Sequence, residues 1–206
     1  MNYYLGIFGG VGTNPSAALL KGKKIIAFAE EERFTRIKNA PLALPINSIH
    51  FCLKEADISI DKVKKISFGW DCPHQFKKVP IFLNKLYNKF PALKNNYNLN
   101  LEKRVKLGYD PDKIFNELKW TFAKKNQKLN KKIFFYKHHL SHAASTFYAS
   151  GFSESSILIL DGMGEEFTGG FYVGKKNKIS CIKKFYLPNT LGGFYSTFTE
   201  FFGFKS

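Results

Sequence analysis

The chain has few cysteines and no long hydrophobic run. Its three cysteines, Cys52, Cys72 and Cys181, stand far apart among 206 residues and are odd in number. They fit neither a disulfide framework nor a CxxC metal site, which is typical of a protein of the reducing cytoplasm. No apolar stretch approaches the roughly 20 residues of a membrane span. The first residues lack the basic and apolar regions of a signal peptide. We therefore expect a cytoplasmic protein without a membrane partner.

Acidic residues are also scarce, because 16 Asp and Glu stand against 32 Lys and Arg. The resulting formal charge of +16 is compatible with a nucleic-acid partner or another anionic surface. The alternative is a lysine-rich, solvated surface, which we favour because no RNA-binding or helix-turn-helix motif accompanies the lysines. Nucleic-acid binding is therefore the hypothesis that we rank last.

Hydrophobic residues make up 44% of the chain, enough for a core. Alternating strand and helix patterns along the chain predict an α/β fold. Apolar segments with strand character lie at residues 2–8, 16–20, 24–29, 65–70, 133–136, 156–160, 167–173 and 179–186. Helical patterns cover residues 46–56, 138 to about 149, and 191–202. Cys52 lies on the first of these helices, where we expect it in the core.

A pair of histidines and a distant aspartate have the pattern of a metal site. His138 and His142 are four residues apart, which places both imidazoles on one face of a helix. Asp161 follows the apolar run 157–160, where a strand meets a turn containing Gly162 and Gly164. Two histidines and one carboxylate would leave coordination positions open for substrate or water. The alternative is a surface or helix-capping pair, but its position directly after a strand favours the metal.

Two further segments have the character of anion-binding loops. Residues 9–14 form a glycine-rich turn whose backbone N–H groups could approach a phosphate, although a plain hairpin turn would have the same composition. Residues 30–38 hold three acids followed by three bases, Arg33, Arg36 and Lys38. The bases could hold an anionic ligand, and the alternative is a solvated charged loop.

The chain contains an internal echo. Residues 3–29 and 156–185 both follow the plan strand, glycine turn, strand, Gly-Lys turn, strand, which indicates two related lobes. This is the plan of the actin-like, sugar-kinase-like ATPase fold, in which nucleotide phosphates lie between the hairpin turns of two lobes. We expect the first lobe at residues 1–154, with a basic helical insertion at about 71–130, and the beginning of a truncated second lobe at 155–206.

Four motifs together resemble one enzyme family. They are AEEERFTRIK at residues 29–38, HHLSHAAS at 138–145, DGMGE at 161–165, and LGGFYS through GFK at 191–205. The chain resembles the O-carbamoyltransferases of the nodulation-protein NodU and cephamycin CmcH type, over its whole length except the insertion at 71–130.

The resemblance implies an actin-like domain that carries out carbamoyl transfer. In that family a second domain makes carbamoyl-adenylate from carbamoyl phosphate and ATP. The resemblance also implies an iron-type divalent ion that holds the nucleotide phosphate, with His138, His142 and Asp161 as its ligands. Ligand chemistry alone would also accommodate Zn²⁺ or Mn²⁺. The expected function is transfer of a carbamoyl group to a hydroxyl of a small-molecule or sugar-like acceptor.

The remaining roles are also implied by the resemblance. Lys38 and Arg36 would contact the carbamoyl intermediate or the acceptor. His139 would transfer a proton, with packing as the alternative. Five residues of the two glycine turns would lie beside the nucleotide phosphate, namely Gly12, Asn14, Ser16, Gly162 and Gly164.

Two departures from the family pattern bear on this expectation. Thr13 stands where family members carry a histidine in the first turn. The chain also ends soon after the second lobe begins, without a further aspartate ligand or the adenylate-forming domain. We therefore expect a second chain to supply the missing lobe and that domain. A non-catalytic remnant or binding subunit is the alternative function.

Overall fold

The structure is a computed structural model that describes residues 1–10, 12, 14–92, 109–122 and 129–204. The chain forms two compact units. The first unit comprises Met1–Pro80 and Ala92–Tyr136, and the second comprises Ile81–Pro91 and Lys137–Ser206. The lobe boundary expected at residue 154 stays a prediction. Among the described residues, no helix combines the length and the apolar character needed to cross a membrane.

The first unit is built on a five-stranded mixed sheet. Its strands are β1 (Tyr3–Phe8), β2 (Ser16–Lys21), β3 (Lys24–Glu30), β4 (Val63–Phe68) and β5 (Ile133–Phe135). The strand order is β3-β2-β1-β4-β5. The first three strands form an antiparallel meander, whereas β4 runs parallel to both β1 and β5. This order follows from the sequence, since short glycine turns join the meander and a helix precedes β4.

Of the helices in this part of the chain, the second matches the apolar pattern predicted at 46–56, the third and fourth lie in the predicted helical insertion, and the first was not predicted. They are α1 (Glu32–Thr35), α2 (Ile46–Glu55), α3 (Cys72–Lys89, which continues into the second unit) and α4 (Pro111–Phe122). Short 3₁₀ turns occupy Ile60–Lys62 and Leu129–Lys132. The insertion predicted at 71–130 is helical where it is described, and its residues 93–108 and 123–128 lie outside the described part.

Helix α2 closes the core of the first unit. Ile49, Cys52 and Leu53 are buried on its inner face, as the periodicity predicted. The Cys52 thiol donates a hydrogen bond to the Ala17 carbonyl at 3.5 Å. Burial raises the pKa of Cys52 to about 11, so this thiol stays protonated at neutral pH and is not a nucleophile.

The second unit contains a three-stranded antiparallel sheet and two helices. Its strands β6 (Glu154–Gly164), β7 (Phe167–Lys175) and β8 (Lys178–Tyr186) pair in chain order. Helix α5 (His138–Phe147) buries Ala143 and Phe147 in a small core with residues of the sheet. Helix α6 (Leu191–Phe201) follows β8.

All eight strands are present where the sequence predicted them, within a few residues at each end. The glycine turn expected at 162–164 is wrong, because β6 continues through Gly164 and the turn falls at Glu165 and Glu166. Pairing between β6 and β7 is irregular between Leu160 and Gly164. The glycines therefore mark an irregular strand end, and a side chain from α5 packs against it.

Candidate metal centre

Helix α5 and strand β6 bring three predicted ligands together. His138 and His142 lie one turn apart on α5, and Asp161 lies near the end of β6. His138 Nε2 is 3.0 Å from Asp161 Oδ2 and also 3.0 Å from His142 Nε2. His142 Nε2 is 3.7 Å from Asp161 Oδ2. We call these three residues the metal cluster.

The spacing of the three atoms fits a single cation. Ligand atoms bonded to a zinc- or iron-sized ion at about 2.1 Å lie about 3.0 to 3.4 Å apart in octahedral or tetrahedral geometry. Two of the observed separations are 3.0 Å, and the third, 3.7 Å, needs only a small side-chain adjustment. Within the described part of the chain, the metal cluster is also the one group of three His, Cys, Asp or Glu residues whose ligand atoms all lie within 4.8 Å of one another.

Hydrogen bonding alone does not account for this arrangement. His138 Nε2 has one in-plane position, which holds either a proton or a lone pair. It would have to donate to Asp161 Oδ2 and accept from His142 Nε2 at the same 3.0 Å distance. A neutral imidazole can satisfy one of these contacts. A cation between the three atoms would satisfy all of them, so the donor set fits a metal ion.

The Asp161 carboxylate is oriented by its surroundings. Its Oδ1 accepts a hydrogen bond from the Gly162 N–H at 2.6 Å, which turns Oδ2 toward the imidazoles. Burial alone would raise the pKa of Asp161. Contacts with the neighbouring imidazoles and the Gly162 N–H outweigh burial and hold that pKa well below the usual carboxyl range. Asp161 is therefore an anion at any pH at which a metal would bind.

His142 forms the accessible side of the metal cluster. Its side chain is 49% exposed, compared with 14% for His138. Partial burial and the neighbouring His138 lower the pKa of His142, although Asp161 acts in the opposite direction. A lowered pKa keeps the imidazole neutral, which is the form that binds metal. Substrate or water would reach an ion from this side.

His139 also contacts Asp161 and is almost completely buried, with 2% of its surface exposed. Its Nε2 is 3.3 Å from Asp161 Oδ2, the same oxygen that faces His138 and His142. This burial favours the packing alternative over proton exchange with a substrate.

The two glycines of β6 differ in their surroundings. A Cβ atom on Gly164 would lie 2.6 Å from His138 Cδ2, so the absence of a side chain lets the imidazole pack on the strand. A Cβ atom on Gly162 would meet nothing within 4 Å. Gly164 thus has a packing role at the metal cluster, whereas Gly162 faces open space that a ligand could enter.

The sequence analysis did not identify the side chain that caps the N-terminus of helix α5. Glu165 is fully buried, and its Oε1 accepts a hydrogen bond from the His138 N–H at 3.2 Å. A carboxylate at a helix N-terminus compensates for unpaired N–H groups and interacts favourably with the helix dipole. The acid that closes the motif DGMGE was the available signal, but its partner lies 27 residues earlier.

In the first unit, the glycine turn and the basic segment form one structure. Residues 9–14 and 36–43, which we call the loop pair, are joined by three backbone hydrogen bonds. They are Asn14 N to Asn39 O at 2.8 Å, Leu42 N to Gly12 O at 3.1 Å, and Gly10 N to Ala43 O at 2.6 Å. Val11 and Thr13, the position of the missing histidine, lie outside the described residues. The sequence predicted these loops separately.

Of the three basic residues in the segment 30–38, only the first forms an ion pair within the described part of the chain. Arg33 forms an ion pair with Glu30 at 3.1 Å, so it is less available to a ligand. No carboxylate of the described residues pairs with Arg36 or Lys38. Ser16 opens β2 beside Glu30, where the strand pattern at 16–20 placed it. The predicted anion contacts that no described carboxylate neutralises are Arg36 and Lys38, whereas the Asn14 N–H is already bonded to the Asn39 carbonyl.

Comparison with known proteins gives a consistent result. Residues 7–206 match the family model described as Carbamoyltransferase N-terminus. The uncharacterised protein sll1178 of Synechocystis sp. is 32% identical over 195 residues, which are 92% of this chain and 30% of that protein. The nodulation protein NolNO of Sinorhizobium fredii is 27% identical over 190 residues, 92% of this chain and 25% of that protein. The chain therefore spans less than a third of the length of these relatives.

Among solved structures, YeaZ from Pseudomonas aeruginosa matches with a TM-score of 0.50 and 13% identity, over 91% of this chain and 68% of YeaZ. At this identity the likeness concerns the fold alone. It confirms the actin-like ATPase fold predicted from the internal echo.

Proposed function

The chain belongs to the family of carbamoyltransferase N-terminal domains, and from that membership we propose that it supplies the metal- and anion-binding parts of an O-carbamoyltransferase. The observation that carries this proposal is the convergence of His138, His142 and Asp161 within 4.8 Å of one another. The ion is Fe²⁺ in this proposal, with Zn²⁺ or Mn²⁺ as alternatives. When bound, it would act as a Lewis acid on a phosphoryl or carbonyl oxygen.

The residues of the metal cluster have distinct tasks in this proposal. Asp161 contributes the anionic ligand, and the Gly162 N–H holds its second oxygen away from the ion. His138 is fixed by packing against Gly164 and by the capping of its N–H by Glu165. His142, which is the most exposed of the three, borders the positions left for substrate.

The loop pair of the first unit would bind anionic substrate groups. Arg36 and Lys38 supply positive charge that no described carboxylate neutralises. The turn containing Gly12 is hydrogen-bonded to the loop that carries them, which brings its backbone into the same region. Such a combination suits the phosphate of ATP, carbamoyl phosphate or carbamoyl-adenylate.

The reaction would transfer a carbamoyl group from carbamoyl-adenylate to a hydroxyl group of a small-molecule or sugar-like acceptor. The acceptor oxygen forms a bond to the carbamoyl carbon and loses its proton to solvent, the bond from that carbon to the phosphate oxygen breaks, and AMP leaves. Positive groups near the departing phosphate would stabilise its charge. Formation of carbamoyl-adenylate from carbamoyl phosphate and ATP would fall to parts of the enzyme outside these 206 residues.

Metal analysis of the purified protein tests the proposal. Elemental analysis should find about one divalent ion per chain, and His142→Ala should abolish it by removing one of three protein ligands. His50→Ala is a matched control, because His50 is an exposed histidine of the first unit whose ring packs on Phe122. Full metal occupancy in His142→Ala would mean that the histidine pair is structural.

Activity requires a separate measurement. The chain would be combined with a polypeptide carrying the remaining parts of the enzyme, and labelled carbamoyl phosphate, ATP and candidate hydroxyl acceptors would be supplied. We expect the wild type to transfer the label to an acceptor and the variant Lys38→Ala not to transfer it. Bound metal without transfer under any complementation would instead favour a non-catalytic binding subunit.

A further inference from the structure

Each carboxylate oxygen of Glu31, the middle acid of the run 30–32, accepts two hydrogen bonds. Its side chain is buried, with 2% of the residue exposed. Oε1 accepts hydrogen bonds from the Asn47 backbone N–H at 3.1 Å and from Asn47 Nδ2 at 2.7 Å. Oε2 accepts from the Ser48 backbone N–H at 2.9 Å and from Ser48 Oγ at 2.8 Å.

These four bonds attach Glu31 to the N-terminus of helix α2. The first N–H groups of a helix have no partner within the helix, and Pro45, which precedes α2, offers no side-chain cap. The Glu31 carboxylate takes the place of that cap from 16 residues away and interacts favourably with the helix dipole. The N-terminus of α2 is therefore occupied by the protein itself and is not a phosphate site.

The backbone of Glu31 connects the same point to the loop pair. Its N–H donates to the Pro15 carbonyl at 2.8 Å, directly after the glycine turn. Its carbonyl accepts from Phe34 and Thr35 and so begins helix α1, which leads to Arg36. One residue thus links the end of the glycine turn, the start of the basic segment and the first turn of α2.

The next acid continues this connection. Glu32 Oε2 accepts a hydrogen bond from the Asn39 N–H at 2.7 Å, and the Asn39 carbonyl accepts from the Asn14 N–H at 2.8 Å. Arg36 has a left-handed backbone with φ of 58°, held by its N–H bond to the Glu32 carbonyl. This conformation is unfavourable for an arginine unless its surroundings impose it.

We propose that Glu31 is a positioning residue that holds the loop pair in the form that binds a phosphate-bearing ligand through Arg36 and Lys38. The inference rests on the anion-binding role given to the loop pair above. Its new content is that the middle acid of the run acts through the loop geometry and has no contact with the ligand. Its four donors leave its oxygens no capacity to bind one.

The variant Glu31→Gln tests this proposal. A glutamine keeps the size of the side chain but turns one NH₂ group toward either the Asn47 or the Ser48 backbone N–H, and two donors then face each other. Leu53→Ala is the matched control, because it removes a buried side chain from the same helix α2 without touching Glu31. Both variants are measured at a temperature where circular dichroism shows them folded.

Two measurements separate positioning from stability. Amide hydrogen exchange at Asn14 and Asn39 should become about tenfold faster in Glu31→Gln, because a lost buried hydrogen bond loosens both loops. Affinity for inorganic pyrophosphate, measured by titration calorimetry, should fall about tenfold as well. Leu53→Ala should change both quantities less than about twofold, since it leaves the loop hydrogen bonds in place.

The outcomes distinguish the two proposals. If pyrophosphate binds the wild type and Lys38→Ala loses it, while Glu31→Gln keeps both affinity and protection, the role of Glu31 is wrong. If the wild type binds no pyrophosphate, the anion-binding function is wrong and the exchange data alone decide whether Glu31 positions the loops. Equal loss in Glu31→Gln and Leu53→Ala would reduce Glu31 to a contributor to stability.

Discussion

Glu31 in the first unit and Asp161 in the second are both carboxylates held against a helix, yet the two regions use them differently. Glu31 is 2% exposed, and its two oxygens receive four hydrogen bonds from amide and hydroxyl donors. Asp161 is 28% exposed in its side chain. Its Oδ2 is surrounded by three imidazole nitrogens at 3.0, 3.3 and 3.7 Å.

The partners of each carboxylate explain the difference. Amide N–H groups are permanent donors, so they saturate Glu31 and fix it as part of the scaffold. Imidazole nitrogens can instead present a lone pair, so Asp161 Oδ2 and the neighbouring nitrogens can together bind a cation. Proximity to a helix and burial do not separate a structural carboxylate from a ligand. What separates them is whether the neighbouring groups can themselves bind a metal ion.

The substitution Asp161→Asn should produce the largest effect. An asparagine oxygen can still accept the Gly162 N–H bond, but the negative ligand is lost. We expect affinity for the divalent ion to fall by more than about 100-fold, measured by competition with a chelator. Glu31→Gln should leave metal affinity unchanged if the two carboxylates have the separate roles compared here. Similar losses in both variants would break the comparison.

Acidic pH should remove the metal through the histidines rather than through Asp161. Metal competes with protons for imidazole. Because the pKa of His142 is lowered, protons displace the metal only at a pH below the ordinary histidine value of 6.5. Asp161, whose pKa is also lowered, stays ionised throughout. We expect occupancy to persist at pH 6.5 and to be lost below about pH 6, as measured by metal analysis after equilibrium dialysis.

The same shifts set the pH dependence of stability in the metal-free protein. His142 and Asp161 both have a lower pKa when folded, so the unfolded chain binds more protons. Their contribution to the free energy of unfolding is present above the unfolded pKa values and is lost as pH falls. Because the titration of His142 falls in this pH range, urea unfolding should give a lower free energy of unfolding at pH 5 than at pH 7. An opposite slope that disappears in His142→Ala would contradict the lowered pKa.

The two glycines of β6 offer a matched pair of substitutions. In Gly164→Ala the new methyl group would press on the His138 ring, so the imidazole must move and metal affinity should fall about tenfold. Gly162→Ala adds a methyl group in open space and should leave metal affinity nearly unchanged. Isothermal titration with Zn²⁺ in both variants measures the difference. Equal effects would mean that close packing does not set the position of His138.

Much of the fold and the metal cluster could be predicted because their signals are local or periodic. Short apolar segments bounded by turns identified the strands, and the spacing of His138 and His142 identified one helix face. Asp161 stood at the end of an apolar run. Each of these signals uses a short stretch of sequence and a regular backbone geometry.

The contacts that position these residues could not be predicted in the same way. Glu31 finds Asn47 and Ser48, and Glu165 finds the His138 N–H, through partners that lie 16 to 27 residues away. Nothing in the local pattern of an acidic residue distinguishes a solvated acid from a distant helix cap. The turn expected at 162–164 failed for a related reason, because Gly164 serves close packing with His138 of α5.

A substitution at Thr190 should have the smallest effect on metal binding, because Thr190 contacts the backbone of Asp161 and not its carboxylate. Its hydroxyl donates to the carbonyls of Gly162 at 2.7 Å and Asp161 at 3.2 Å, and accepts from the Gly193 N–H as the cap of α6. Thr190→Ala should lower the free energy of unfolding by about 1 kcal/mol, the usual cost of a lost helix cap. Thr190→Ser keeps the hydroxyl and should retain most of that stability in urea unfolding followed by circular dichroism. Because the hydroxyl holds the Asp161 backbone rather than its carboxylate, Thr190→Ala should weaken metal binding much less than Asp161→Asn. A comparable loss would mean that the ligand geometry at Asp161 depends on α6 as strongly as the geometry of the loop pair depends on Glu31.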